Sequence, residues 1–301
     1  METVRILTSS KGLNTKLQKT RVAYDKSGTT ELTKAVNVSH DYTGRVSRRS
    51  GYNYQVEGDF HSVFCDEGDC FLGRGLDLFK LNNDLSITGV RGSLSGNRIG
   101  FCQIGRETYY ANGHQNGVIR NGQSYPWPVG EYLGPETSRS FSSAPAGTHL
   151  AYYNGYLCIS VGNVLYFSEP WAPGLFNMSK MFVQFSSEVL LVKPVVSGIF
   201  VSDSEDTWFL HGPTPSDFVQ KKVLSYPALE WSDAIDYVES LDIGLEIPGL
   251  CAMWGSRYGA VLGLPDGTAI NRSINKVKYP KIGSQGSGLL KDQTFIFNTF
   301  F

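Results

Sequence analysis

The sequence is poor in charge and in helical periodicity. Asp, Glu, Lys and Arg make up 18% of its 301 residues, below the roughly 25% of an average soluble domain, so few charged surface helices are expected. It also lacks any basic excess: 27 Lys plus Arg face 28 Asp plus Glu, a formal net charge of −1. A dedicated nucleic-acid binder draws most of its affinity from counterion release by a net basic surface, so that class is disfavoured. No apolar run is long enough to cross a bilayer as a helix. The opening Met1-Glu2-Thr3-Val4-Arg5 carries no apolar signal-peptide core, so a soluble chain made in a cytoplasm is expected. Cysteine is scarce and unpatterned. Cys65, Cys70, Cys102, Cys158 and Cys251 are odd in number, scattered and without a CxxC pair, which argues against a disulfide framework and against zinc. Reduced, buried thiols are expected, although Cys65 and Cys70 could approach across a hairpin.

Catalytic signatures are missing too. Gly92-Ser93-Leu94-Ser95-Gly96 puts Leu where a nucleophile elbow needs Ser, and there is no HExxH, no GxxxxGK[ST] and no GxGxxG entering a helix. His40, His61, His114, His149 and His211 stand alone in sequence and read as strand or turn residues. No pair of acids is singled out by spacing for glycosidase chemistry. The sequence therefore assigns no catalytic residue, metal or cofactor, and a non-enzymatic chain is expected.

What is abundant is glycine, with 33 residues, and aromatic side chains at 13%. Apolar or aromatic runs of about four to seven residues alternate with Gly, Asn, Asp, Ser or Pro, the grammar of short strands and tight turns. Such runs include His61 to Cys65, Arg98 to Ile104, His149 to Tyr153, Val189 to Val196 and Leu250 to Trp254. A unit of strand, Gly turn, strand, polar turn and strand recurs around Gly68, Gly105, Gly155, Gly198 and Gly259. Propeller blades of four strands occupy about 40 to 50 residues, and the spacing of these glycines suits them. The expected fold is all-β, a β-propeller of about five to six blades whose N- and C-terminal segments close the ring. Gln293 to Asn298 is the candidate closing strand. A large irregular sandwich or barrel is the alternative. Residues 1–34 are read as an N-terminal extension and 35–301 as one propeller domain.

Charge is uneven along the chain. Met1 to Asp59 carries ten bases and six acids, whereas Ser225 to Leu250 carries six acids (Glu230, Asp233, Asp236, Glu239, Asp242, Glu246) and no base. Residues 225–250 are read as an acidic insertion, either a short helix, from the spacing of Leu229, Trp231, Ile235, Val238 and Leu241, or a solvated loop. Arg45, Arg48 and Arg49 form either a contact for a partner's carboxylates or a solvated turn. Trp127 and Tyr132, in a loop with Pro126 and Pro128, are either an interface anchor or packed on their own blade. Ser202-Asp203-Ser204-Glu205-Asp206-Thr207-Trp208 approaches a sialidase-type turn once, with Ser and Asp at the wrong places, and reads as a chance turn.

Several strings carry a resemblance. Ala35-Val36-Asn37-Val38 followed by Thr43-Gly44-Arg45-Val46-Ser47-Arg48-Arg49-Ser50-Gly51 resembles the opening of bacteriophage tail proteins of the nozzle or tail-hub type. Leu165 to Pro170 with Phe176-Asn177, Thr207 to Pro215, and Trp254-Gly255-Ser256 through Gly263 to Thr268 and Asn271 resemble the propeller of the same virion proteins. The resemblance implies a structural protein in a ring of six copies, meeting tail adaptor or portal proteins and tail fibres, in the virion. Double-stranded DNA would pass through it without sequence-specific binding. In that reading Glu230, Asp233, Asp236 and Glu239 face the channel or a neighbouring subunit, because acids do not hold phosphate against sliding. Two rivals stand beside it: a carbohydrate-binding or glycoside-hydrolase propeller, whose central funnel would be lined by paired acids or by Trp and Tyr, and a generic interaction scaffold.

Overall fold

The computed structural model describes residues 9–16, 29–40, 44–49, 51, 53, 56–66, 68–132, 134–135, 140–241, 247–279, 282–291 and 293–300. Thr43, Ser50, Asp242 and Glu246 lie outside them. The chain is all-β, its described residues including single-turn 3-10 helices at Pro215–Asp217 and Val238–Ser240, and its sheets make a five-bladed β-propeller.

The first blade consists of Phe60–Asp66, Asp69–Arg74, Asp77–Leu81 and Ile87–Arg91, joined in sequence order. The second runs Gly100–Ile104, Glu107–Ala111, Asn116–Arg120 and Gln123–Tyr125. Leu150–Tyr153, Tyr156–Val161, Val164–Glu169 and Ala172–Phe176 make the third, with Phe182–Gln184 added to its third strand. The fourth comprises Val189–Val195, Gly198–Asp203, Thr207–His211 and Val219–Leu224. The fifth holds Ala228–Tyr237, Leu250–Ser256, Gly259–Gly263 and Ala269–Asn271. The first strand of each blade is innermost.

Apolar residues of successive blades meet face to face. Leu78 and Phe71 pack with Tyr110 and Ile119 between the first two blades, and Tyr109 and Val118 with Leu157 and Ile159 between the next two. Leu165 and Phe167 join Val192 and Ile199, and Phe200 and Leu191 join Trp254 and Val261. The core is thus four inter-blade layers rather than one centre, as expected when each sheet is apolar on both faces.

The ends of the chain depart from the expected closure. Gln285–Lys291 and Thr294–Phe300 form a hairpin, and the former pairs in parallel with the inner strand of the fifth blade at Glu230 and Gln285. The candidate closing strand therefore extends the fifth sheet. Among the described residues it does not share a sheet with the N-terminal strands, which form two separate pairs, Ser9–Leu13 with Thr29–Leu32 and Val38–His40 with Val46–Arg48. The hairpin lies so close to the fifth blade that a Cβ on Gly288 would come 2.5 Å from the Ser232 carbonyl carbon. Leu290 and Phe295 pack there with Cys251 and Met253.

Two further expectations need correction. Cys65 and Cys70 stand directly opposite each other in the first hairpin and are joined as a disulfide, with Cα atoms 4.0 Å apart. Cross-strand register, which spacing alone does not reveal, brings them together. Cys102, Cys158 and Cys251 are free and buried, as expected. The helical spacing in the acidic stretch produces no α-helix: residues 228–237 are extended, with Ala228 in the inter-blade core and Trp231 at the cavity. The Asp203 turn is a built hairpin, in which one carboxylate oxygen accepts the N–H of Glu205 and Asp206 at 2.9 and 2.8 Å and the other accepts Trp208 Nε1–H at 3.1 Å.

Candidate functional site

The inner strands surround a cavity of about 330 Å³ on the propeller axis. Every blade contributes: Phe60 to Phe64 from the first, Arg98 to Phe101 leading into the second, His149 and Leu150 from the third, Val192 and Lys193 from the fourth, Trp231 and Asp233 from the fifth. Ser287 and Gly288 of the C-terminal hairpin complete the wall. Trp231 and Asp233 both line this face. Ser232 between them is buried, donating to Leu229 O at 2.6 Å and accepting Gly255 N–H at 2.9 Å.

Two inner strands slip register at the cavity. The first blade's strand bulges between His61 and Phe64 and the fifth's between Ala228 and Asp233. Each bulge holds a side chain in the left-handed region, Ser62 at φ +55 and Trp231 at φ +64. Such a backbone costs a non-glycine residue on the order of 1–3 kcal/mol, and bulges of this kind re-aim side chains toward functional sites.

The polar groups are interlocked. Lys193 pairs with Asp233. His149, buried, has its ring 4.4 Å from that of Trp231. Its buried Nε2 lies 3.4 Å from Glu230 Oε1, within ion-pair reach. Gln285 Nε2–H donates to Glu230 Oε2 at 2.7 Å, and Arg98 Nη1–H donates to Gly286 O at 2.6 Å. Burial pushes the Glu230 carboxyl up, but His149, the Gln285 amide and the Arg98 charge outweigh it and hold the carboxyl below the usual carboxylate range. Burial lowers the Arg98 pKa, against the pull of Glu230. The cysteines offer no nucleophile: burial pushes Cys102 up to about 12 and Cys251 up to about 11. Among the described residues no cluster of His, Cys, Asp and Glu could hold a metal ion.

Of the residues singled out in the sequence, Asp233 lines this cavity. Glu230 does not line it and instead meets His149 and Gln285 of the same propeller. Asp236 accepts the Tyr237 N–H at 2.7 Å, and Glu239, exposed, accepts the Gly249 N–H at 3.0 and 3.1 Å, so both stand apart from the cavity. Arg45, Arg48 and Arg49 are exposed on and beside the Val46–Arg48 strand, also away from it. Trp127 is only 6% exposed, donating from Nε1 to Pro173 O at 2.9 Å with its ring 4.9 Å from Tyr109. As an interface anchor it is corrected: it packs on its own propeller. Tyr132 is half-buried, its ring 4.6 Å from Phe141.

Sequence reading missed His61, Ser62, Arg98, His149, Lys193 and Trp231. A signal was present, since His61, Arg98 and His149 each open the first strand of a repeat unit. A polar residue recurring at one place in successive units marks the axis.

The fold is that of a β-propeller, and comparison with known proteins agrees. No family model matches the chain, and no curated protein sequence does. Among solved structures it is similar to a streptogramin B lyase, with 10% identity, a TM-score of 0.50, and 87% of this chain aligned to 83% of that one. It is also similar to the extracellular domain of BT4673 from B. thetaiotaomicron, at 12% identity and a TM-score of 0.51, covering 87% of this chain and 36% of that one. At such identities the likeness shows the fold alone. It does overturn one expectation: a lyase is built on this fold, so the absence of familiar catalytic motifs does not make the chain non-enzymatic.

Proposed function

We propose that the chain binds a small polyhydroxylated molecule, of the saccharide class, in its central cavity. The observation that carries this reading is the make-up of the cavity wall, where the Trp231 ring stands among the polar side chains of Arg98, Lys193 and Asp233. The volume falls within the range of small-molecule sites, about 300–1,000 Å³. Trp231 offers an aromatic surface, and Arg98, Lys193 and Asp233 offer donors and acceptors of both signs, suited to hydroxyls rather than to a strongly charged ligand.

The tail-ring reading asks the acidic residues to face a channel between subunits. Pairing of Asp233 with Lys193, and of Glu230 with His149 and Gln285, supports a role within one propeller instead. Neither solved structure described above is a phage tail protein. The test is thermal shift and calorimetry with glucose, galactose, N-acetylglucosamine and glucuronate. At least one should bind, and Trp231→Ala and His149→Ala should each weaken it tenfold or more. No binding by any of them, with a ring-sized mass in sedimentation, would overturn this reading in favour of the tail ring.

A further inference from the structure

His61 and Ser62 lie in the same wall. Ser62 Oγ is 2.8 Å from His61 Nδ1, and the other ring nitrogen, Nε2, is 3.2 Å from Gly75 O. A carbonyl oxygen only accepts, so Nε2 carries the ring proton and Nδ1 turns its lone pair to Ser62, whose hydroxyl donates to it. The Ile99 N–H donates to the same Oγ at 2.8 Å, which favours negative charge on that oxygen. The imidazole sits over Gly73 on the next strand, where a Cβ would come 2.2 Å from His61 Cε1. Ser62 itself is the left-handed residue of the bulge.

These features are independent of one another. A hydroxyl lies within reach of an imidazole, a third group fixes the tautomer, a glycine leaves room for the ring, and a strained backbone places the serine in a cavity wall. Together they make a nucleophile with its base. We propose that Ser62 is a nucleophile, His61 its general base, and that the cavity transfers the acyl group of a carboxylic ester, in substrate terms an O-acylated saccharide. The substrate class rests on the saccharide reading above.

In the first step Ser62 Oγ bonds to the ester carbonyl carbon while its proton passes to His61 Nδ1. The tetrahedral oxyanion then collapses, the bond to the alcohol oxygen breaks, and Nδ1 returns the proton to that oxygen, leaving an acyl-Ser62 and a free alcohol. Water attacks the acyl carbon, giving a proton to Nδ1. The bond to Oγ breaks, Oγ recovers the proton, and a carboxylic acid departs. Arg98 stands in the same wall, and positive charge fixed near a developing oxyanion lowers the barrier.

The probes are a fluorophosphonate and 4-nitrophenyl acetate. Wild-type protein should form one adduct, on the peptide containing Ser62, and hydrolyse the ester with an initial burst. Ser62→Ala should abolish the adduct and reduce turnover by about 100-fold or more, and His61→Gln should reduce both to a similar extent. Because Ser62→Ala also removes the acceptor for Ile99 N–H, Ser62→Cys serves as a second variant. It keeps the frame and should be alkylated by iodoacetamide faster than any other cysteine. The proposal is overturned by an adduct on another serine, by no adduct on wild-type protein of native circular dichroism, or by unchanged turnover in Ser62→Ala. If the saccharides bind but Ser62 stays unlabelled, only the dyad fails. If Ser62 is labelled but no saccharide binds, the dyad stands and the saccharide class fails.

Discussion

The inner strands of the fourth and fifth blades are neighbours, yet they are built on opposite principles. Val189–Val195 carries Val189, Leu191, Val192 and Val195 in the core and one charge, Lys193, at the cavity. Ala228–Tyr237 carries Glu230, Asp233 and Asp236, a bulge and a left-handed tryptophan. The first strand holds blades together. The second turns part of its stabilising capacity to the cavity, where charge and strain gather. Scaffold and site are therefore adjacent strands of one ring, linked by the Lys193 and Asp233 pair.

The contrast can be broken most forcefully at Leu191, which is fully buried. Leu191→Ala should cost about 2–5 kcal/mol by urea denaturation, through lost contacts and a residual cavity. Ligand affinity should change little in the folded fraction. A smaller effect is expected across the pair. Asp233→Asn, which leaves Lys193 without its counter-charge, should cost about 1–3 kcal/mol, and Lys193→Met with Asp233→Leu should cost less than the two single changes summed, as a double-mutant cycle would read out. At the bulge, Trp231→Gly should be more stable than Trp231→Ala by about 1 kcal/mol, because alanine keeps the left-handed penalty that glycine lacks. Equal stabilities would remove strain from the description of the site.

The smallest effect concerns pH. The folded Glu230 carboxyl is held below its ordinary range, so its contribution to stability is present above the unfolded pKa of about 4.3 and is lost as pH falls through the lower, folded value. Glu230→Gln should flatten the fall in urea midpoint across that acid window and leave the slope above pH 6 unchanged. A fall as steep as the wild type's would remove Glu230 from the set of stabilised carboxylates.

The same contrast explains what could be read in advance. Short apolar runs with glycine turns mark the strands of the first four blades, and the inner strands of those blades follow the expected runs closely. The fifth inner strand escaped because it carries three acids, Asp233 among them at the cavity, and its bulge breaks the two-residue alternation, so acidic spacing read as a helix or loop. Missing it also shifted the repeat: Gly68, Gly105, Gly155 and Gly198 follow the first strand of a blade, whereas Gly259 follows the second. Glu230 and Asp233 were singled out for their charge, but their partners were not legible. Lys193, in the fourth blade's inner strand, and His149, just before the third blade's, lie far away in sequence and meet them only when the ring closes around the axis. The Ser62 and His61 contact is local in sequence, but it depends on a left-handed serine that no residue pattern announces.

The most direct test is a crystal structure of the protein soaked with whichever of the four saccharides gives the largest thermal shift. The account predicts ligand density on the propeller axis, against Trp231, with an oxygen within hydrogen-bond distance of Asp233 or Arg98. Density only on the outer surface would contradict it.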